Sequence, residues 1–191
     1  MFSNYYYYSI LYKFIFHKFT RFCYTFHRKW LSYYFLNFLR SGNSCRSPMA
    51  EAVFQNQVRE MGLSDFWDVE SAAILGYHVG NNPEPRAMST LRKAGITNYS
   101  HIARQITLDD FYKFDWIFGM DEYNIYRLYE MQPEDSRATI ELLGKYDPAG
   151  LTVIQDPLFD ADSAGFEKAF QQALRSVRSF LEINKVFRIL K

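Results

Sequence analysis

Acidic residues are missing from the first quarter of this 191-residue chain. No aspartate or glutamate precedes Glu51, while seven lysines and arginines do. The remainder carries fifteen basic and all twenty-one acidic residues, so a formal net charge of +1 hides a segment of +7 and a body of −6. A mildly acidic body argues against a general nucleic-acid binder, whose domain is normally basic. Cysteine is scarce: Cys23 and Cys45 are the only two, and no C-x2-C spacing occurs. That excludes a disulfide framework and a thiolate zinc site, and makes a reducing compartment the default. No mostly apolar window of about 20 residues, the length of a membrane-spanning helix, is free of charge. Lys13, Lys18, Arg21, Arg28 and Lys29 interrupt every candidate near the start. An uncharged apolar core with a small-residue cleavage site, the mark of a secretory signal, is not evident.

What is abundant is aromatic. Residues 1–34 hold fifteen of the thirty-six aromatic side chains, including the run Tyr5, Tyr6, Tyr7, Tyr8. Such a segment is basic like a mitochondrial presequence, but its Tyr and Phe runs fit a Ser-rich amphipathic helix badly. Phe, Tyr, Lys, Ile and Asn have AT-rich codons, so residues 1–34 resemble translated non-coding DNA. A targeting or membrane-surface role is the alternative. The composition changes near Arg40–Gly42, and the expected division is an extension, 1–34, and a folded domain, 35–191.

The body alternates strand and helix patterns. Phe35–Leu39 reads as a strand and Ser41–Pro48 as a glycine-containing loop. Met49–Met61 reads as an amphipathic helix closed by Gly62, with Pro48 suited to its first turn. Trp67–Ala73 is the next strand, and Pro85–Ala94 a helix stopping at Gly95. Leu108–Phe114 is a short helix, Asp115–Met120 a strand, Glu122–Met131 a helix and Thr139–Leu143 a strand. Ser163–Ile183 is a long terminal helix with Phe166, Phe170, Leu174, Val177 and Leu181 on one face. This alternation predicts an α/β fold with a parallel sheet covered on both faces.

A strand, a glycine-bearing turn and a helix N-terminus form an oxyanion site, because backbone N–H groups converge and the helix dipole favours negative charge. Arg46 adds a planar fork for two phosphate oxygens. The string Gly42-Asn43-Ser44-Cys45-Arg46-Ser47-Pro48-Met49-Ala50-Glu51-Ala52 resembles the signature of low-molecular-weight protein-tyrosine phosphatases. Further segments match in order: Ser71-Ala72-Ala73, Gly80-Asn81 with Pro85-Arg86, Ala103-Arg104-Gln105-Ile106-Thr107, Phe118-Gly119-Met120-Asp121-Glu122, Glu141-Leu142-Leu143-Gly144, Tyr146-Asp147-Pro148 and Asp156-Pro157.

The resemblance implies a four-stranded parallel sheet with the phosphate loop between the first strand and the first helix. It implies hydrolysis of protein phosphotyrosine and small aryl phosphates in the cytoplasm, with no metal and no organic cofactor. Ser41, Gly42, Asn43, Ser44, Cys45, Arg46 and Ser47 would bind phosphate, Asp156 would be the general acid, and His101 would support Asn43. Tyr77, Leu158 and Phe159 would form the substrate rim. Family members attack phosphorus with the first residue of C-x5-R. Counting back from Arg46, that position is Arg40, whose guanidinium stays protonated and cannot act as a nucleophile. The chain is therefore expected to be inactive or severely impaired. The alternatives are a pseudophosphatase that binds phosphate without turnover and, further off, an arsenate reductase-like protein, whose thiol relay two cysteines do not supply.

Overall fold

A computed structural model describes the backbone of residues 34–40, 42–160 and 162–189, and the side chains within 42–160 and 162–184. Residues 1–33 with Cys23, Ser41, and the side chains of Asn37 and Arg40 lie outside the described residues.

Four parallel strands form one sheet. They are β1 (Tyr34–Arg40), β2 (Trp67–Ala73), β3 (Trp116–Gly119) and β4 (Thr139–Leu142), in the spatial order β2-β1-β3-β4. Strand β1 is paired on both sides: Leu36 stands opposite Val69 of β2 and Trp116 of β3, and Phe38 opposite Ser71 and Phe118. Parallel neighbours need long crossovers. Helices α1 (Arg46–Glu60), α2 (Pro85–Lys93), α3 (Asp110–Lys113) and α4 (Glu122–Met131) lie in them, and α5 (Ala164–Ile189) follows β4.

Successive strand side chains point to opposite faces, and here both faces are buried. Trp67, Val69 and Phe118 pack with α1, α2 and α5; Ala72, Ile117 and Ile140 pack with Phe111 of α3 and Leu128 of α4. The first face is aromatic. Fully buried Phe180 of α5 meets Trp67, Trp116, Phe118 and Tyr146 with ring centroids 5.0 to 5.6 Å apart, mostly edge to face. That geometry suits the ring quadrupoles.

Most bounds differ from the sequence reading by one or two residues, and three helix bounds differ by more or for a definite reason. Helix α1 starts at Arg46 rather than Met49, because the loop runs directly into helical geometry after Cys45. Helix α3 is only Asp110–Lys113: the Asp110 carboxylate accepts from Thr107 N at 2.8 Å, and the residues before it form a turn. Helix α5 continues past Ile183 to Ile189, where no glycine or proline interrupts it. Short 3-10 turns at Ser64–Phe66, Gly76–His78 and Leu143–Tyr146 were not anticipated.

Candidate active site

In an open parallel sheet, ligands bind outside the carboxyl ends of the strands, where the strand order reverses. Here the chain leaves β1 for β2 on one side and returns to β3 on the other, so the reversal lies between β1 and β3. The loop after β1 and the turn after β3 therefore share one crevice.

The loop after β1 is held by its own side chains. Asn43 has φ 51°, and it is the one non-glycine residue with positive φ among the described residues. Asparagine tolerates this region better than most residues, and the strain needs compensation. The buried amide of Asn43 makes four contacts. Its Nδ2 donates to Ser47 Oγ at 3.1 Å and Ser71 Oγ at 2.9 Å. Its Oδ1 accepts from Arg104 N at 3.3 Å and lies 2.7 Å from His101 Nε2. Gly42 is packed as closely: a Cβ there would meet the His78 ring at 2.6 Å. Ser44 O accepts from Glu84 N at 2.7 Å, tying the loop to the turn before α2. Cys45 is wholly buried at the N-cap of α1, with Sγ 3.5 Å from Ser44 Oγ.

Arg46, 4% exposed, opens α1. Its Nη1 donates to Ile154 O at 2.6 Å and lies 2.8 Å from Asp121 Oδ2; its Nη2 lies 3.5 Å from Asp156 Oδ2. The predicted arginine and the predicted acid thus converge at the helix N-terminus. Asp156 is half-buried, and its Oδ1 accepts from Leu158 N at 3.1 Å. Tyr77 on its 3-10 turn and Phe159 beside the acid are 80% and 90% exposed. Leu158 instead packs against the core, so on that side the exposed apolar surface is Phe159 alone of the two.

Sequence reasoning gave no role to Asp121, although it caps α4: its Oδ1 accepts from Asn124 N at 2.9 Å while Oδ2 faces Arg46. An N-cap aspartate at the carboxyl end of a strand was the available signal. It also missed the buried group beneath the loop. Glu51 Oε2 accepts from Ser71 Oγ at 2.6 Å and Tyr99 OH at 3.0 Å, and lies 3.3 Å from His101 Nδ1. Burial pushes Glu51 up to about 7. Burial, helped by the charge of Arg104, pushes His101 down to about 4.

The low molecular weight phosphotyrosine protein phosphatase model matches residues 36–188. The chain belongs to that family. The pig low molecular weight phosphotyrosine protein phosphatase is 48% identical over 147 residues, 76% of this chain and 92% of the relative. The Drosophila melanogaster phosphatase 1 of the same name is 43% identical over 145 residues, 74% and 90% of the two chains. The crystal structure of Primo-1 superposes with a TM-score of 0.73 at 39% identity, covering 78% of this chain and 97% of that one. Phosphotyrosine phosphatase chemistry is the function of this family. Among the described residues of this family member, no His, Cys, Asp and Glu group is arranged to hold a metal, and no helix is long and apolar enough to cross a membrane.

Proposed function

We propose that residues 34–191 form a phosphotyrosine phosphatase scaffold that binds phosphate weakly and does not turn it over. The observation that carries this reading is the convergence of Arg46 and Asp156, 3.5 Å apart, at the N-terminus of α1. Phosphate oxygens there would meet the backbone N–H groups of 42–47 and the Arg46 fork, while Asp156 would protonate the leaving phenol. In a complete site a thiolate from position 40 attacks phosphorus, the P–O bond to the phenol breaks, and the Asp156 proton goes to the phenol oxygen. Water then attacks the phosphocysteine and gives a proton to the Asp156 carboxylate; the S–P bond breaks, releasing phosphate and restoring the thiolate and the acid.

Arg40 supplies no such electron pair, because guanidinium stays protonated. Cys45 does not replace it: it is adjacent to Arg46, too far round the loop for attack in line. Arginine is also far larger than cysteine at the loop's start, which favours weak binding of phosphate. The partners of the scaffold are phosphotyrosine proteins or small aryl phosphates, and its compartment is the cytoplasm.

The test is hydrolysis of phenyl phosphate by the purified chain and by its Arg40→Cys variant at mildly acidic pH. Activity in the variant alone is the expected result. Activity in the unaltered chain that disappears in Cys45→Ser would overturn the account of the nucleophile. Phosphotyrosine peptide bound by the unaltered chain at low micromolar affinity would overturn the weak-binding statement.

A further inference from the structure

The acid-bearing loop is anchored at both ends, and the far anchor is an arginine that does not reach the phosphate site. Arg86, in the first turn of α2, donates from Nη2 to Leu158 O and from Nη1 to Asp160 O, each at 3.0 Å. Those two carbonyls bracket the turn that follows Asp156 and Pro157, itself closed by Asp160 N donating to Pro157 O at 3.1 Å. The guanidinium lies 4.6 Å over the ring of fully buried Phe166, at the start of α5. Its Nε donates to Glu84 Oε1 at 2.8 Å, and Glu84 Oε2 accepts from Arg86 N and Ala87 N. One carboxylate therefore caps α2 and orients the fork. The backbone N–H of that same Glu84 holds Ser44 O of the phosphate loop.

The chain of contacts is continuous: Ser44 O, Glu84, Arg86, then the carbonyls after Asp156. The near anchor is Ile154, whose N–H donates to Met120 O at 2.9 Å and whose carbonyl accepts from Arg46. Close packing supports the far end as well. A Cβ at Gly165 would lie 1.7 Å from Asp160 Oδ2 and 3.1 Å from Pro157 Cβ, so the loop sits directly on the first turn of α5.

We propose that Arg86, oriented by Glu84, is a positioning residue that sets the distance between Asp156 and the phosphate loop. It touches neither substrate nor the reacting atoms. A planar fork suits this task, because two parallel N–H groups fix the spacing of two carbonyls, which a point-charge ammonium does not. General acid catalysis needs the acid within hydrogen-bond reach of the leaving oxygen, so loosening the loop costs most where protonation matters most. This role rests on the phosphatase reading above.

Two measurements separate the proposal from that reading. In the unaltered full-length chain, hydrogen exchange of the amides at 158–160 is compared with that in Arg86→Met and Arg86→Lys. The expectation is about tenfold faster exchange there in both variants, with α1 and α5 unchanged. Unchanged exchange at 158–160 overturns the clamp whether or not the chain can be made catalytic. If Arg86→Met fails to fold, Arg86→Lys, which keeps a cation over Phe166, decides the matter. In the Arg40→Cys background, kcat/KM is then measured for phenyl phosphate and p-nitrophenyl phosphate. A drop of about tenfold for phenyl phosphate in Arg86→Lys, with p-nitrophenyl phosphate nearly spared, is the expected split. An equal drop for both would mean a merely structural role and overturn the proposal. An inert Arg40→Cys chain would sink the phosphatase reading, and the exchange result would still stand or fall alone.

Discussion

Asn43 Oδ1 and His101 Nε2 stand 2.7 Å apart, and the contact fixes where the imidazole proton sits. The amide oxygen can only accept, so Nε2 carries the proton and Nδ1 faces Glu51. With Glu51 raised to about 7 and His101 lowered to about 4, the pair is a neutral carboxylic acid and a neutral imidazole in mildly acidic solution.

Folding then moves one proton from histidine to glutamate. In the unfolded chain between about pH 4.5 and 6.5, His101 is protonated and Glu51 is not; in the folded chain the reverse holds. Proton counts match, so this pair leaves stability flat across the window. The variants split the two effects. In Glu51→Gln only the depressed histidine remains, and stability rises from pH 4 to 6.5. In His101→Asn only the raised glutamate remains, and stability falls from pH 4.5 to 7. Each change is about 3 kcal/mol relative to the unaltered chain, read by urea unfolding at several pH values. Parallel pH curves for all three chains would refute the shared proton.

Phe180→Ala should cost about 3–5 kcal/mol, because the ring is fully buried and touches aromatic neighbours from α1, from strands β2 and β3 and from the turn after β4. A loss below about 1 kcal/mol in the same unfolding measurement would mean the site collapses around the cavity.

Asp121 serves Arg46 and the cap of α4 together, and two substitutions separate these. Asp121→Asn keeps an oxygen for Asn124 N but removes the charge beside a buried guanidinium; we expect it to cost about 1–3 kcal/mol. Asp121→Ala should cost about 1 kcal/mol more, the value of the cap. Equal losses would show that the cap contributes nothing.

In the Arg40→Cys background, Asp156→Asn should lower kcat/KM for phenyl phosphate by about two to three orders of magnitude while sparing p-nitrophenyl phosphate. A uniform loss would point to binding rather than proton donation, and Asp121 would become the acid to replace.

Element type was largely legible in the sequence. Strand β2 matches its expected bounds, Trp67–Ala73, because its apolar residues stand between turn residues. The start of α1 was not legible, since Cys45 caps it without a side-chain hydrogen bond, so no capping residue marks the position. Arg46 and Asp156 were nameable from their register in a known signature. Asp121 was not assigned a role, because its nearness to Arg46 follows from β1 lying beside β3, a fact of sheet order. Glu51 lies beside the buried core residues Ala52 and Val53, yet its own burial depends on Ser71, Tyr99 and His101 arriving from later in the chain.

Among the described residues, strand β1 is the strand that joins β2 to the β3–β4 pair. Seven of its backbone positions pair with β2 and four with β3. Cutting the chain before Tyr34 leaves that link whole. Cutting it after Arg40 would divide the sheet into a lone strand and a hairpinless pair, each with an open hydrogen-bonding edge. Any sequence spliced upstream of Gly42 must therefore do more than reach the loop: it must be a strand with two partners, and the phosphate cradle inherits its footing from whatever that strand is.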